Sequence, residues 1–453
     1  MQISRYLGTR PFLKGAFLLT LPVLCQNLLT TSTSLVDTLM ISSLGTAELT
    51  AVGLAGSWLQ LLNVLLFGIT SAAGVLVAQF WGGGQLSALR RSYGGGLSMS
   101  LAVTLVFMIV TLLCPEQVMT LFSSDPEVIE AGRVYLSIVA LGFPAFGLQF
   151  TANAVLRSTE QVRIPLYGSM LSVASNVFLN WVLIFGNLGA PRLELAGAAI
   201  ASVAGNWLGT ALTYGLAFGR HTMLRSKLQE MLAFDQSFLR QYFVIAWPIM
   251  ANEILWGGGT AVLNMIYGHM GTTQYAALTM CNTVENLVTT TVLSLANVAT
   301  VLVGMEIGRG RGDRAYENAR AMSCWAPLLG GFFGVGILVF RPVIAGFFQQ
   351  TEDVTALAMQ VMLVLALTLP LRFFQFVQIC GILRSGADGK MAAFYDFVGV
   401  WCISVPLAGL GLLLNVAFLW VYLVVSVLDC VVKCTLTFRR FRSKKWIRHV
   451  ADA

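Results

Sequence analysis

Apolar runs recur along the whole chain, separated by short polar breaks. Each run is roughly 20 to 30 residues long, which as an α-helix covers about 30 Å of hydrocarbon. Twelve such elements are predicted, over 14–41, 48–80, 92–114, 127–156, 164–186 and 195–219, then 240–268, 275–307, 315–341, 353–383, 390–412 and 415–438. The expected fold class is an all-α integral membrane protein.

The second half repeats the first. Pro22 and Pro248, Gly45 and Gly271, Ala51 and Ala277, Gly82 and Gly308, and Pro144 and Pro370 are all separated by one constant offset. After a one-residue slip, Val155-Leu156-Arg157-Ser158 falls over Ile382-Leu383-Arg384-Ser385. Six spans is an even number, so both copies enter the membrane in the same orientation and the repeat is parallel. Such repeats place a substrate path between two lobes. The expected organisation is a six-helix lobe over 1–220, a tether over 221–239 running from His221 through Asp235, a second lobe over 240–438 and a basic tail over 439–453.

Composition agrees with a bilayer as solvent: 57% hydrophobic, 11% charged, with a mean hydropathy of +0.76. A soluble domain carries about 25% charged residues. The net charge of +7 does not point to nucleic acid, because the basic residues cluster in alternate breaks. Arg5, Arg10 and Lys14 precede the first span; Arg90 and Arg91 follow the second; Arg157 and Arg163 follow the fourth; Arg220, Arg225, Lys227 and Arg240 follow the sixth. The second half continues with Arg309, Arg311 and Arg314, then Arg384 and Lys390, then the tail from Arg439 to Lys445. In the opposite breaks around 42–47, 115–126, 187–194, 269–274 and 413–414 the only basic residue is Arg192. By the positive-inside rule both termini are expected in the cytoplasm, with the tail also able to touch anionic lipid. No cleavable leader is recognised, so the first span is expected to be retained. The eight cysteines lie nearly all in apolar segments and read as small hydrophobes. The three histidines, His221, His269 and His449, fall in loops or the tail. No metal or cofactor site is assembled from them.

Several motifs, in order, carry a resemblance. They are Leu21-Pro22, Ser34-Leu35-Val36-Asp37-Thr38-Leu39-Met40, Leu49-Thr50-Ala51-Val52-Gly53-Leu54, Val77-Ala78-Gln79-Phe80-Trp81-Gly82-Gly83-Gly84, Asp125-Pro126-Glu127-Val128, Asn176-Val177-Phe178-Leu179-Asn180 and Ala196-Gly197-Ala198-Ala199-Ile200-Ala201-Ser202. Together they resemble the multidrug and toxic compound extrusion (MATE) family, nearer its NorM-type branch, over nearly the whole chain. The resemblance implies twelve helices in a V-shaped exporter driven by Na⁺ or H⁺, with no other cofactor. It also places Asp37 where the family keeps its essential acid, and Asn180 where one branch carries aspartate.

Charged residues inside a span are costly, so each is a candidate. Asp37 stands late in the first span among uncharged neighbours, as an ion or proton site or as a structural hydrogen-bond partner. Asn176 and Asn180, four apart, share a helical face that can turn toward it, or toward a neighbouring helix. Ser202 can add a hydroxyl. The second half offers Glu253, Glu285, Asp396 and Arg372. A buried arginine needs a carboxylate, and Glu253, then Asp396, are the expected partners of Arg372. The tenth span lacks the acid of NorM-type relatives. Trp58, Trp256, Phe143, Phe150, Phe373 and Phe374 can line an apolar cavity or simply pack. Gly82-Gly83-Gly84 and Arg309-Gly310-Arg311-Gly312 read as turns rather than phosphate loops, since no Lys-Ser/Thr follows.

These features favour a monomeric cation-coupled exporter of amphipathic, cationic small molecules, surrounded by lipid, in a prokaryotic inner membrane. A lipid-linked saccharide flippase of the same superfold is the alternative; it would need several cavity cations for phosphate. A membrane-embedded enzyme lacks a reactive constellation, and a passive channel suits the two-lobe repeat poorly.

Overall fold

The structure is a computed structural model that describes residues 10–220, 222–226, 228–231, 236–348 and 350–449. Arg5, His221, Lys227 and Asp235 lie outside the described residues. Twelve long helices are present among those described: α1 (Arg10–Ser42), α2 (Thr46–Gly82), α3 (Leu86–Leu113), α4 (Pro126–Ser158), α5 (Arg163–Leu183), α6 (Glu194–Gly219), α7 (Gln236–His269), α8 (Thr272–Gly308), α9 (Gly312–Phe347), α10 (Glu352–Leu383), α11 (Gly389–Leu413) and α12 (Phe418–Arg442). This is the twelve-helix, two-lobe architecture expected from the hydrophobic pattern. With no water in the hydrocarbon, helices satisfy every backbone group internally, which is why the apolar runs take this form.

The helices outrun the apolar segments at several ends. Helix α9 continues to Phe347 with Arg341 inside it. An arginine does not end a membrane helix, because its aliphatic stem lies along the apolar face while the charge reaches the interface. Helix α4 starts on an Asp125 cap, whose carboxylate accepts the Glu127 N–H at 3.0 Å, with Pro126 in the first turn. It tightens into a 3₁₀ turn at Ala140–Gly142, just ahead of Pro144, which has no N–H to give the preceding turn. Helix α10 closes in a π-helical stretch, Val377–Leu383, and α11 carries another, Val398–Ser404.

Small residues set the closest helix pairs. A Cβ added at Gly168 on α5 would fall 2.9 Å from the Gly209 carbonyl oxygen, and one at Gly209 on α6 would lie 2.7 Å from that of Gly168. On α9, a Cβ at Gly330 would come 2.7 Å from the Leu369 carbonyl oxygen of α10, and one at Gly334 2.6 Å from that of Ala366. In lipid, where apolar surface alone does not drive helices together, such backbone approach supplies the packing.

Two compact units result. One comprises Leu21–Val77 and Gln85–Ala246; the other comprises Met1–Thr20, Ala78–Gly84 and Trp247–Ala453. The unit boundaries therefore fall just before the repeat-related prolines Pro22 and Pro248 rather than at 220 and 240. The segment read as a tether is packed in its described part. A short helix, Leu228–Met231, lies against α3 so closely that a Cβ at Gly94 would be 2.1 Å from the Met231 carbonyl oxygen, and Glu230 pairs with Arg90 at 2.6 Å. The first turns of α7 belong to the same unit, with the Tyr242 hydroxyl donating to the Ile69 carbonyl at 2.9 Å.

Candidate functional site

In the first unit, α1, α5 and α6 bring Asp37, Asn176, Asn180 and Ser202 into one polar string. Asn180 Nδ2 donates to Asp37 Oδ1 at 2.5 Å and lies 3.3 Å from Asn176 Oδ1, while Asn176 Nδ2 donates to Ser202 Oγ at 3.2 Å. The two asparagines are buried and Asp37 is half-buried. Their spacing of one helical turn puts both amides on the same face of α5, and the glycine approach of α5 to α6 brings Ser202 within reach. Among the described residues Asp37 makes no ion pair; its hydrogen-bond partner is Asn180, with Asn176 one helical turn away. Asn180 Oδ1 is buried without a hydrogen-bond partner in this arrangement. A carboxylate beside an unsatisfied amide oxygen, with a hydroxyl at the far end of the string, offers oxygens that fit a dehydrated monovalent cation, and equally a proton on Asp37.

The second unit is built on the opposite principle. Arg372 pairs with Glu285 of α8 and places Nη2 3.3 Å from Ser426 Oγ. The expected partners Glu253 and Asp396 are engaged elsewhere. Glu253 accepts from Arg384 Nη2 at 2.7 Å, and Asp396 lies 3.2 Å from Lys433 Nζ, which is also 3.1 Å from Asp429. The reason is axial distance: Arg372 lies within α10 and Arg384 just past its end, twelve residues on and roughly 18 Å along a helix, so one glutamate on α7 cannot serve both. Arg384, read from sequence as a cytoplasmic loop residue, is 1% exposed. Lys433 is buried too, in space left by Gly399, where a Cβ would fall 2.0 Å from its Cε.

A family model described as MatE matches residues 22–182 and 248–427, one segment in each half of the chain. The chain belongs to the MatE family. A probable multidrug resistance protein NorM of Listeria monocytogenes is 25% identical over 398 residues, covering 86% of each chain. The uncharacterized transporter YisQ of Bacillus subtilis is 24% identical over 442 residues, 95% of this chain and 94% of its own. A MOP superfamily transporter from Pyrococcus furiosus shares the fold with a TM-score of 0.86 at 17% identity, covering 98% of both chains. With its run of long apolar helices, this MatE-family chain is a multi-pass membrane protein.

Sequence reasoning missed three members of the MatE chain's second-unit charge string. Lys433 and Asp429 were legible as an i,i+4 pair inside an apolar run, whereas burial of Arg384 depends on how α10 meets α7. The aromatic candidates divide. The Trp58 indole donates to Thr111 Oγ1 at 2.9 Å and packs on Phe107, Phe143 and Phe373 are buried, Phe150 pairs with Phe146, Phe374 with Phe438, and Trp256 is exposed.

Proposed function

We propose that the protein is a secondary antiporter that exports amphipathic, cationic small molecules across a prokaryotic inner membrane, using an inward Na⁺ or H⁺ gradient captured at Asp37. The observation that carries this reading is the contrast between the units. Asp37, deep in α1, has only neutral partners, while Glu253, Glu285, Asp396 and Asp429 each lie against a built-in cation. An ion pair is fixed; a carboxylate held by amides can change its charge state by binding a proton or a cation.

Asn180 and Asn176 orient the carboxylate, and with Ser202 they offer the oxygens that a dehydrated Na⁺ would take. A bound cation supplies charge neutralisation at Asp37, lowering the cost of moving that region through an apolar surrounding. Each elementary charge carried inward through 100 mV contributes about 2.3 kcal/mol to the export of substrate. Residues outside the site then need only respond to whether Asp37 is charged.

The test is export of a cationic dye, ethidium, from vesicles containing the purified protein under an imposed Na⁺ or H⁺ gradient. Asp37→Asn keeps the size and hydrogen bonding of the side chain, so the variant should insert and fold yet lose gradient-driven export. Undiminished export would overturn the assignment. The flippase alternative has little support, since Arg372, Arg384 and Lys433 are each held by a carboxylate rather than left for a phosphate.

A further inference from the structure

The chain that follows α12 does not trail away from the second unit. It turns at Lys444, whose φ of 55° is left-handed, and folds back beneath the α10–α11 loop. A non-glycine residue in that region costs about 1–2 kcal/mol, so contacts further along must hold the turn. They are visible. Trp446 is 0% exposed; its indole N–H donates to the Phe441 carbonyl at 3.1 Å, and its ring stacks on Phe441, which stacks on Tyr316. The loop is shaped to receive it: a Cβ at Gly386 would lie 1.9 Å from the Trp446 carbonyl oxygen. Arg440 forks onto the buried Asp388 at 2.7 and 3.0 Å, and Lys444 reaches Asp313 at 3.0 Å.

This returning segment touches the last turn of α2. The Gln79 side chain, 0% exposed, donates Nε2–H to the Ser385 carbonyl at 2.7 Å and to the Arg448 carbonyl at 3.3 Å. Beside it, a Cβ at Gly82 would fall 2.1 Å from the Met305 carbonyl oxygen, and one at Gly308 1.8 Å from that of Gln79. His449 closes the far side, 3.4 Å from the Gly308 carbonyl oxygen. Helix α2 is thus divided: it runs in the first unit to Val77, and Ala78–Gly84 belong to the second. Its repeat mate α8 stays in one unit throughout.

We propose that Ser443–His449 is a strap that latches the last turn of α2 into the second unit, and that admission of substrate at this end requires the latch to open. The second half of that statement rests on the transport reading above; the first does not. The contacts that fix the last turn of α2 therefore set how readily this end is released. Opening must release the two Gln79 hydrogen bonds and the close glycine contacts together, while the Trp446 anchor keeps the socket formed.

Two variants of the full-length protein test it: deletion of 446–453, and Gln79→Leu, which removes the amide donor while keeping the volume and the tail. Hydrogen–deuterium exchange of the purified proteins should show about tenfold faster exchange at 78–84 in both, with α12 and the body of α2 unchanged. In vesicles, the ethidium concentration giving half-maximal transport from the strap side should fall about threefold, because a larger fraction of the protein is open to bind. Unchanged exchange at 78–84 in both variants overturns the strap. Faster exchange with an unaltered half-saturating concentration overturns the latch role and leaves a packed tail. If the unmodified protein moves no dye, the transport reading falls, and the strap stands or falls on the exchange result.

Discussion

A carboxylate in hydrocarbon is defined by its company. Asp37 keeps two amides and Glu285 keeps an arginine, and the two respond differently to substitution. Arg372→Met strands the charge of Glu285 and should cost about 3–5 kcal/mol, read as a collapse in the yield of monodisperse protein or in Tm. Adding Glu285→Gln should restore folded protein. Adding Glu253→Gln instead should worsen matters, because it strands Arg384 as well. At the other site, Asn180→Asp sets a second carboxylate beside Asp37. Isothermal titration with Na⁺ should then find binding about tenfold tighter, equivalent to ~1.4 kcal/mol; binding equal to that of the original protein would mean that Asn180 does not face the cation. Of these residues, Asp37, Asn176, Asn180 and Ser202 were legible as polar intrusions in apolar runs with helical spacing. The partner of Arg372 was not: Glu253 and Asp396 were the acids expected, and only the axial positions of α7, α8 and α11 along α10 favour Glu285.

Helices in this protein approach until glycine is required. The α5–α6 contact at Gly168 and Gly209 also fixes the Asn176–Ser202 hydrogen bond, so packing and site share one element pair. Gly209→Ala should push the helices apart, at about 1–3 kcal/mol in stability. Na⁺ affinity should weaken with it, although none of the proposed ligands is altered; a loss of Tm with affinity intact would separate the two. In α11, Gly399 sits in the π-helical stretch Val398–Ser404 and leaves room for the Lys433 stem. Gly399→Val should expel the ammonium from between Asp396 and Asp429 and cost more than Gly409→Val on the same helix, where a Cβ would meet nothing within 4 Å. The existence of all twelve helices was evident from hydrophobic run length. The π-helical stretches were not, since a π turn adds a residue to suit neighbours and leaves no periodic mark.

For the molecule as a whole, the charge placed between the spans sets the expected orientation. A fluorescent protein that matures in the cytosol, fused after Ala453, should be bright, and a phosphatase that needs the periplasm should be inactive there; the reverse would invert the topology. The unit boundaries before Pro22 and Pro248 fall at equivalent places in the repeat, each just ahead of a proline inside a continuous helix. The repeat does not explain the divided α2, for α8 carries the matching glycine and stays whole. What differs is the returning tail, which in the second unit closes on the α10–α11 loop and the last turn of α2.

The sequence by itself determined what depends on the solvent and on local spacing. Hydrocarbon thickness sets run length, the interface sorts lysine and arginine, duplication repeats prolines and turn glycines, and the helical period groups Asn176 with Asn180. The tertiary structure decided what depends on which surfaces meet. It paired Arg372 with Glu285 and Arg384 with Glu253, buried Lys433 between two aspartates, and folded the tail onto α2. Those choices are made by distances between helices remote in sequence, and a charged residue in an apolar run carries the same cost whichever partner eventually meets it.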